Sequence, residues 1–301
     1  MSLRRIDLGP TKVRPDMTLE ILPLAASLGA EIRGVDLSAP ISDETFETIK
    51  DAWSTYSVLL FREQTLDHAS HVAFSRRFGA LDDHASIPKF RDPDVPEILR
   101  VANDVVGGRK QTVGQQWHSD LSITQQPAKA SLLRSETLPP KGGDTLFASS
   151  YQAYEDLSPT MRNFLEGLTA IHDIAQSKQN QGRTDLDEAR KRTPPIVHPV
   201  VRTHSVTGKK AIYVNEMSTS RIVELAPDES EAVLQFLFAH TTQHKYTYRH
   251  RWQVGDLLMW DNESTQHLAL ADYDINVPRV LYRTTLLGVP SGRQATADEL
   301  L

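Results

Sequence analysis

The sequence contains no cysteine. Disulfides and thiolate metal sites are excluded, and any metal must be held by histidine, carboxylate and water. No apolar run approaches the length of a membrane span. Leu3-Arg4-Arg5-Ile6 is followed by Asp7 and Pro10, not by a signal-peptide core. The expectation is a soluble, cytoplasmic chain with no membrane partner. Positive charge is also in short supply: 33 Lys and Arg stand against 39 Asp and Glu, a net charge of -6. Nothing in that balance would neutralise a phosphate backbone, so nucleic acid is not an expected partner. Internal repeats are absent. What is present is ordinary globular material, 301 residues of which 39% are hydrophobic and 24% charged. That length allows one large domain or two smaller ones.

Read in order, residues 18–36 alternate enough for a strand, a turn at Gly29 and a second strand. Over 43–57, Phe46, Ile49, Trp53 and Tyr56 recur at three- and four-residue spacing behind Ser42 or Asp43 as cap, which predicts a helix. Residues 57–61 read as a buried strand, and Asp67 opens a second helix that runs to Phe78 and stops at Gly79. Residues 82–116 carry Pro88, Pro93, Pro96, Gly107 and Gly108, and predict loops around one strand at 97–101. Further strands are expected over 130–138, 144–148, 196–203, 211–215, 246–252, 257–260 and 279–287. Helices follow residue 148, one capped by Ser158 with Pro159 first, and another covers 228–240. The polar stretch 176–193 predicts a loop. Short strands with helices in separate blocks suggest a β-sandwich or barrel core with helical decoration, not a doubly wound parallel sheet.

Trp117-His118-Ser119-Asp120 is the informative stretch. In an extended strand residues i and i+2 share a face, so an imidazole and a carboxylate converge. They form two thirds of the two-histidine, one-carboxylate face that holds ferrous iron in oxygenases. An H-x-D tripeptide alone is weak, since most of the eleven histidines must be surface or packing residues. Three features support it. His267 follows Trp260-Asp261-Asn262 and a tight turn. Arg279 lies on an expected strand, where a buried guanidinium needs an anion. Arg283 falls four residues on, facing the same way, so the pair suits a pocket for two anionic groups. These residues alone still admit a zinc hydrolase with the same ligands, or a non-catalytic anion-binding protein.

The ordered motifs narrow this. WHSD at 117–120, PPKGGDTLFAS at 139–149, YRHRWQVGDLLMWDN at 248–262, the TQH ending at His267 and PRVLYRTTLLG at 278–288 resemble the taurine dioxygenase and 2,4-dichlorophenoxyacetate dioxygenase family of Fe(II)- and 2-oxoglutarate-dependent oxygenases. GAEIRGVDLS at 29–38 and YVNEMSTSRIV at 213–223 extend the resemblance, which spans roughly residues 18 to 289. It implies a single dioxygenase domain over 1–301: mainly β, a double-stranded β-helix or jelly roll with flanking helices, and lids at 82–116 and 174–195. It implies His118, Asp120 and His267 as iron ligands, Thr145 and Arg279 as contacts of 2-oxoglutarate, and Arg283 with His84 as holders of the substrate anion. The implied substrate is a small organic anion (a sulfonate such as taurine, a sulfate ester or an aryloxyalkanoate), hydroxylated with O2 while 2-oxoglutarate becomes succinate and carbon dioxide. Family members are commonly dimers or tetramers. The chain departs from the taurine type at Lys178 and Ser218, where aromatic residues are usual, near Gly114, where an asparagine is usual, and near Ile87, where a tyrosine is usual. Lys178 and Ser218 are therefore the candidates for shaping the substrate pocket; Lys178 either points to solvent, as most lysines do, or points inward and adds a cation to the anion pocket.

Overall fold

The computed structural model describes residues 18–85, 90–103, 105–106, 109–110, 112–180 and 184–300. The arginines near the N-terminus and Ile87 lie outside them. The first block runs β1 (Glu20–Pro23), β2 (Ala30–Arg33), α1 (Asp43–Tyr56), β3 (Val58–Phe61), α2 (His68–Arg76) and β4 (Leu99–Ala102). The Ser42 side chain accepts from the Thr45 N–H and Asp67 forms a capping box with Ser70, which fixes where both helices begin. A short hairpin follows, β5 (Val105–Val106) and β6 (Arg109–Lys110), then β7 (Ala128–Thr137), β8 (Thr145–Ser149), α3 (Ser150–Glu155), α4 (Pro159–Leu165) and β9 (Thr169–His172). The last part is α5 (Leu186–Arg192), β10 (Ile196–Pro199), β11 (Val201–Thr203), β12 (Lys210–Ile212), β13 (Thr219–Ile222), α6 (Pro227–Thr241), β14 (Thr247–His250), β15 (Leu257–Asp261), β16 (Thr265–Ala269), β17 (Val280–Leu287) and β18 (Arg293–Gln294).

The chain is mostly β with several helices. Seven strands form one sheet in the order β1-β2-β3-β15-β7-β17-β4, antiparallel except where β2 meets β3. Three more form β14-β8-β16. Period-2 alternation decides what each face packs on. Leu59 and Phe61 of β3 and Leu257 and Met259 of β15 meet Ile49 and Trp53 of α1 and Phe74 of α2. The alternate residues, Val58, Leu60, Leu258 and Trp260, meet Phe147 of β8, so the three-stranded sheet lies against the inner face. A separate core gathers Tyr154 of α3, Leu234 and Leu237 of α6, Ala170 of β9 and Ile222 of β13. Among the described residues no helix is long and apolar enough to cross a membrane.

Several expectations are corrected. Residues 176–193 contain α5, with 3₁₀ turns at Ile174–Gln176 and Lys178–Asn180 beside it. Asp187 and Glu188 in its first turn and Arg190, Lys191 and Arg192 in its last suit the helix dipole, and Arg190 is tied to Asp173 at the edge of the segment. The stretch 196–203 is two strands in different sheets, broken at Val200. Periodicity passes over β9, β13 and β16, which are only four or five residues long and rich in Thr, Ser, Arg, Gln and His. His118 and Asp120 do not lie on a strand: His118 makes one isolated bridge, to His267, and Leu121 turns left-handed directly after the aspartate.

Candidate active site

That bridge assembles the site. His118 N–H donates to the His267 carbonyl at 3.0 Å and His267 N–H returns the bond at 2.8 Å. The rings are left 4.1 Å apart between centroids. β16 carries His267 opposite Phe147 of β8, and Ala269 opposite Thr145, so the ligand strand and Thr145 share one sheet. Gly114 makes room: it sits at φ +81°, accepts from the Ala269 N–H, and a Cβ there would stand 3.1 Å from Cε1 of His118.

Asp120 is buried and braced on three sides. Oδ2 accepts from the Ser131 hydroxyl at 2.6 Å, Oδ1 accepts from Nη1 of Arg283 at 2.7 Å, and its backbone N–H donates to Oδ1 of Asn262 at 3.1 Å. Burial works to raise its pKa, but Arg283, then the two imidazoles and Ser131, outweigh it and hold the carboxyl well below the usual range. Burial pushes both imidazoles down, His267 furthest because His118 lies beside it. The resting state is one carboxylate between two neutral imidazoles.

These residues fit a metal ion. One donor atom from each of His118, Asp120 and His267 lies within 4.8 Å of the others. The Nε2 atoms of His118 and His267 stand 4.0 and 3.9 Å from the Asp120 oxygens, too far for hydrogen bonds and right for atoms sharing one ion. Nδ1 of His118 donates to the Gln116 carbonyl at 2.8 Å, which leaves the Nε2 lone pair for the metal.

A cavity of about 270 Å³ opens beside the two histidines. Thr145, Arg279 and Arg283 line it together with apolar walls from Phe90, Leu99, Val101, Val113 and Leu133. Arg279 is 5% exposed, and its Nε and Nη2 both donate to the Gly143 carbonyl. Gly143 sits at φ +74°, and a Cβ on it would come within 3.0 Å of that Nε. Among the described residues no carboxylate pairs with Arg279, and burial lowers its pKa. A buried guanidinium without a counter-ion is costly, so the side of it that Gly143 leaves open, at Nη1, calls for a ligand carboxylate. Arg283 differs: Asp120 already occupies its Nη1, while its buried Nε has no partner.

The structure therefore brings together His118, Asp120, His267, Thr145, Arg279 and Arg283. The remaining candidates fall elsewhere. His84 is buried behind Arg283 at φ +54° and does not line the cavity; its ring nitrogens stand 3.3 Å from the Pro96 carbonyl and the Thr285 hydroxyl. Lys178 faces outward, its ammonium 2.8 Å from Glu216 and its backbone N–H on Oε1 of Gln116. Exposure keeps that cation hydrated, which costs less than bringing it beside two buried arginines. The hydroxyl of Ser218 is bonded to Asn215, Ser122 and His172. It lines a second cavity of about 190 Å³ that also touches His118 and is walled by Leu121, Ile123, Ile174 and Met217. Sequence reasoning missed Ser131 and Asn262, whose contacts to Asp120 cross 11 and 142 residues. Only the Asn in the Trp-Asp-Asn motif carried a signal.

Comparison with known proteins agrees with this geometry. The family model for "Taurine catabolism dioxygenase TauD, TfdA family" matches residues 20–285. An alpha-ketoglutarate-dependent sulfate ester dioxygenase of Pseudomonas putida is 35% identical over 92% of each chain. An alpha-ketoglutarate-dependent 2,4-dichlorophenoxyacetate dioxygenase of Cupriavidus pinatubonensis is 35% identical over 90% of this chain and 98% of its own. The crystal structure of AAD-2 in complex with Mn(II) and N-oxalylglycine is similar with a TM-score of 0.80 and 29% identity, over 93% of this chain and 100% of that one. The zinc hydrolase and the non-catalytic binding protein fall away, and the chain belongs to the TauD, TfdA family of Fe(II)- and 2-oxoglutarate-dependent dioxygenases.

Proposed function

We propose that this dioxygenase hydroxylates a small organic anion with an apolar body, a sulfate ester or an aryloxyalkanoate, in preference to a zwitterionic amino sulfonate such as taurine. The observation that carries this is the wall of the 270 Å³ cavity: among the described residues it holds arginines and apolar side chains but no Asp or Glu. A substrate ammonium would find no acid among those described residues, whereas an aryl or alkyl body would meet Phe90, Leu99, Val101 and Val113.

In this reading His118, Asp120 and His267 hold the metal, and the remaining groups hold the two organic acids. Bound iron(II) supplies the oxygen chemistry that converts 2-oxoglutarate to succinate and carbon dioxide and hydroxylates the substrate. Arg279 receives the remote carboxylate of 2-oxoglutarate in fork geometry, with the Thr145 hydroxyl as second donor. Arg283 offers its unpartnered Nε to the substrate anion while Nη1 keeps Asp120 ionised and oriented. His84, neutral behind Arg283, backs that group. The apolar walls exclude water and hold one carbon towards the metal. If that carbon bears an ester or ether oxygen, the hydroxylated product is hemiacetal-like and breaks down, releasing sulfate or a phenol.

The packed seven- and three-stranded sheets are read as the two halves of a jelly roll in one domain. Described residues of 82–116 (Val113, Gly114) and 174–195 (Ile174, Ser177) border His118, which supports their reading as lids. The cysteine-free composition permits a cytoplasmic location, and a homodimer or homotetramer follows the family expectation. The test is a panel of an alkyl sulfate, an aryloxyacetate and taurine, scored by succinate formed with iron(II) and 2-oxoglutarate. The expected result is turnover of at least one apolar anion and little with taurine; taurine as the best of the three contradicts the reading.

A further inference from the structure

We propose that Trp252 is a positioning residue for the co-substrate: its indole N–H holds the Thr145 hydroxyl so that the hydroxyl proton points to the remote carboxylate of 2-oxoglutarate. This rests on the reading of Thr145 and Arg279 as the cradle for that carboxylate.

Thr145 is buried on β8 and lines the cavity. Its Oγ1 accepts from Nε1 of Trp252 at 3.0 Å. A threonine hydroxyl has one proton and two lone pairs. The indole occupies a lone pair and so keeps the proton out of that position, and among the described residues no acceptor takes the proton. A donor so prepared in the cavity wall is of use only to an acceptor that enters with the ligand. A tryptophan N–H can only donate, so the direction of the bond is unambiguous.

The register explains how the indole arrives. β14 pairs with β8 so that His250 faces Thr145, and Trp252 follows two residues later. The indole stands edge-on to His250, 4.5 Å between centroids, and His250 lies 3.0 Å from the buried Asp256. Asp256 is in turn held by Arg62 and the Gln253 N–H. The ring therefore leans on a buried polar chain and not on a mobile loop. The same strand braces the other arm of the cradle. Arg249 bonds Asp144 at 2.6 Å and Asp272 at 3.0 Å, and Asp272 accepts from the N–H of Gly143, whose carbonyl holds the Arg279 fork. β14 itself contributes no residue to the metal triad or the cavity lining, yet Arg249 on it and Trp252 just beyond it brace both donors of the carboxylate site.

Trp252→Phe removes the N–H and keeps most of the ring. Binding of 2-oxoglutarate to the iron(II)-loaded protein is measured anaerobically by calorimetry, beside 2-oxopentanoate, which carries a methyl where 2-oxoglutarate has its remote carboxylate. The loss of one such hydrogen bond should raise the Kd of 2-oxoglutarate about five- to tenfold and leave that of 2-oxopentanoate within about twofold. Thr145→Val should weaken 2-oxoglutarate similarly, and adding Trp252→Phe to it should change little, because the two side chains act through one bond. An unchanged Kd for 2-oxoglutarate in Trp252→Phe, with Thr145→Val impaired, overturns the role of Trp252 alone. Equal weakening of both acids also overturns it, since that is the mark of a packing defect. Normal binding in Thr145→Val removes the cradle reading and this proposal with it.

Discussion

At its charged end the cavity is walled by paired strands: Thr145 on β8, His267 on β16 and Arg283 on β17, with Arg279 one residue before β17 begins. Three of these four groups have a named brace, Trp252 for Thr145, Gly143 for Arg279 and Asp120 for Arg283, while Nδ1 of His267 has no partner among the described residues. The rest of the lining includes Phe90 and Val113 in connecting segments and residues of β4 at the sheet edge. The two ends differ as their tasks do. A dicarboxylate and a metal demand fixed charges at fixed distances, which neighbouring strands can supply. Recognition of an organic body demands only shape and low polarity, which loops can vary.

The comparison is tested hardest at Arg279. Arg279→Leu removes the counter-ion of the remote carboxylate, and the KM for 2-oxoglutarate should rise about a hundredfold or more, with metal affinity nearly unchanged. A small change would mean that the two ends share the load. Ser131→Ala tests the bracing of the metal half from behind: it strips one hydrogen bond from Asp120, and the Kd for the metal should rise about tenfold, read by competition with a chromogenic chelator. Unaltered affinity would show that Arg283 alone suffices.

A smaller effect concerns the scaffold. Burial, then the charge of Arg134, pushes His71 down to about 3, and burial pushes His198 down to about 4. Both are neutral in the fold, while in the unfolded chain they titrate near 6.5. The unfolded chain therefore binds more protons below that value, and stability falls as pH drops from about 6.5 towards 4. Denaturant unfolding at pH 7 and pH 5 should differ by about 1–2 kcal/mol for each histidine, and His198→Gln should flatten the slope. A pH-independent midpoint would show that these rings take up protons without unfolding.

How much of this was legible in sequence follows the same division. His118, Asp120 and His267 could be read as a candidate metal-binding set because two of them lie two residues apart and the third follows a turn motif. Ser42, Asp67 and Ser158 announced their helices because capping is local. The sequence suggests an anion for Arg283, but not that Asp120, 163 residues away, takes one arm of it. The outward course of Lys178 and the burial of Ser218 depend on how a connecting segment crosses β13, and no local pattern encodes that. β16 was invisible for a related reason: its polar residues Thr265, Gln266 and His267 are buried for the site they build.

The central claim is that His118, Asp120 and His267 hold iron(II) and that Arg279 and Thr145 bind 2-oxoglutarate beside it. Anaerobic titration of the protein with iron(II) and 2-oxoglutarate tests both at once through the weak visible charge-transfer band of the ternary complex. The band is expected in the native chain at one equivalent of metal. No band is expected in His267→Ala, and in Arg279→Leu a band only at far higher 2-oxoglutarate. A band of full strength in His267→Ala, or none in the native chain, would overturn this assignment.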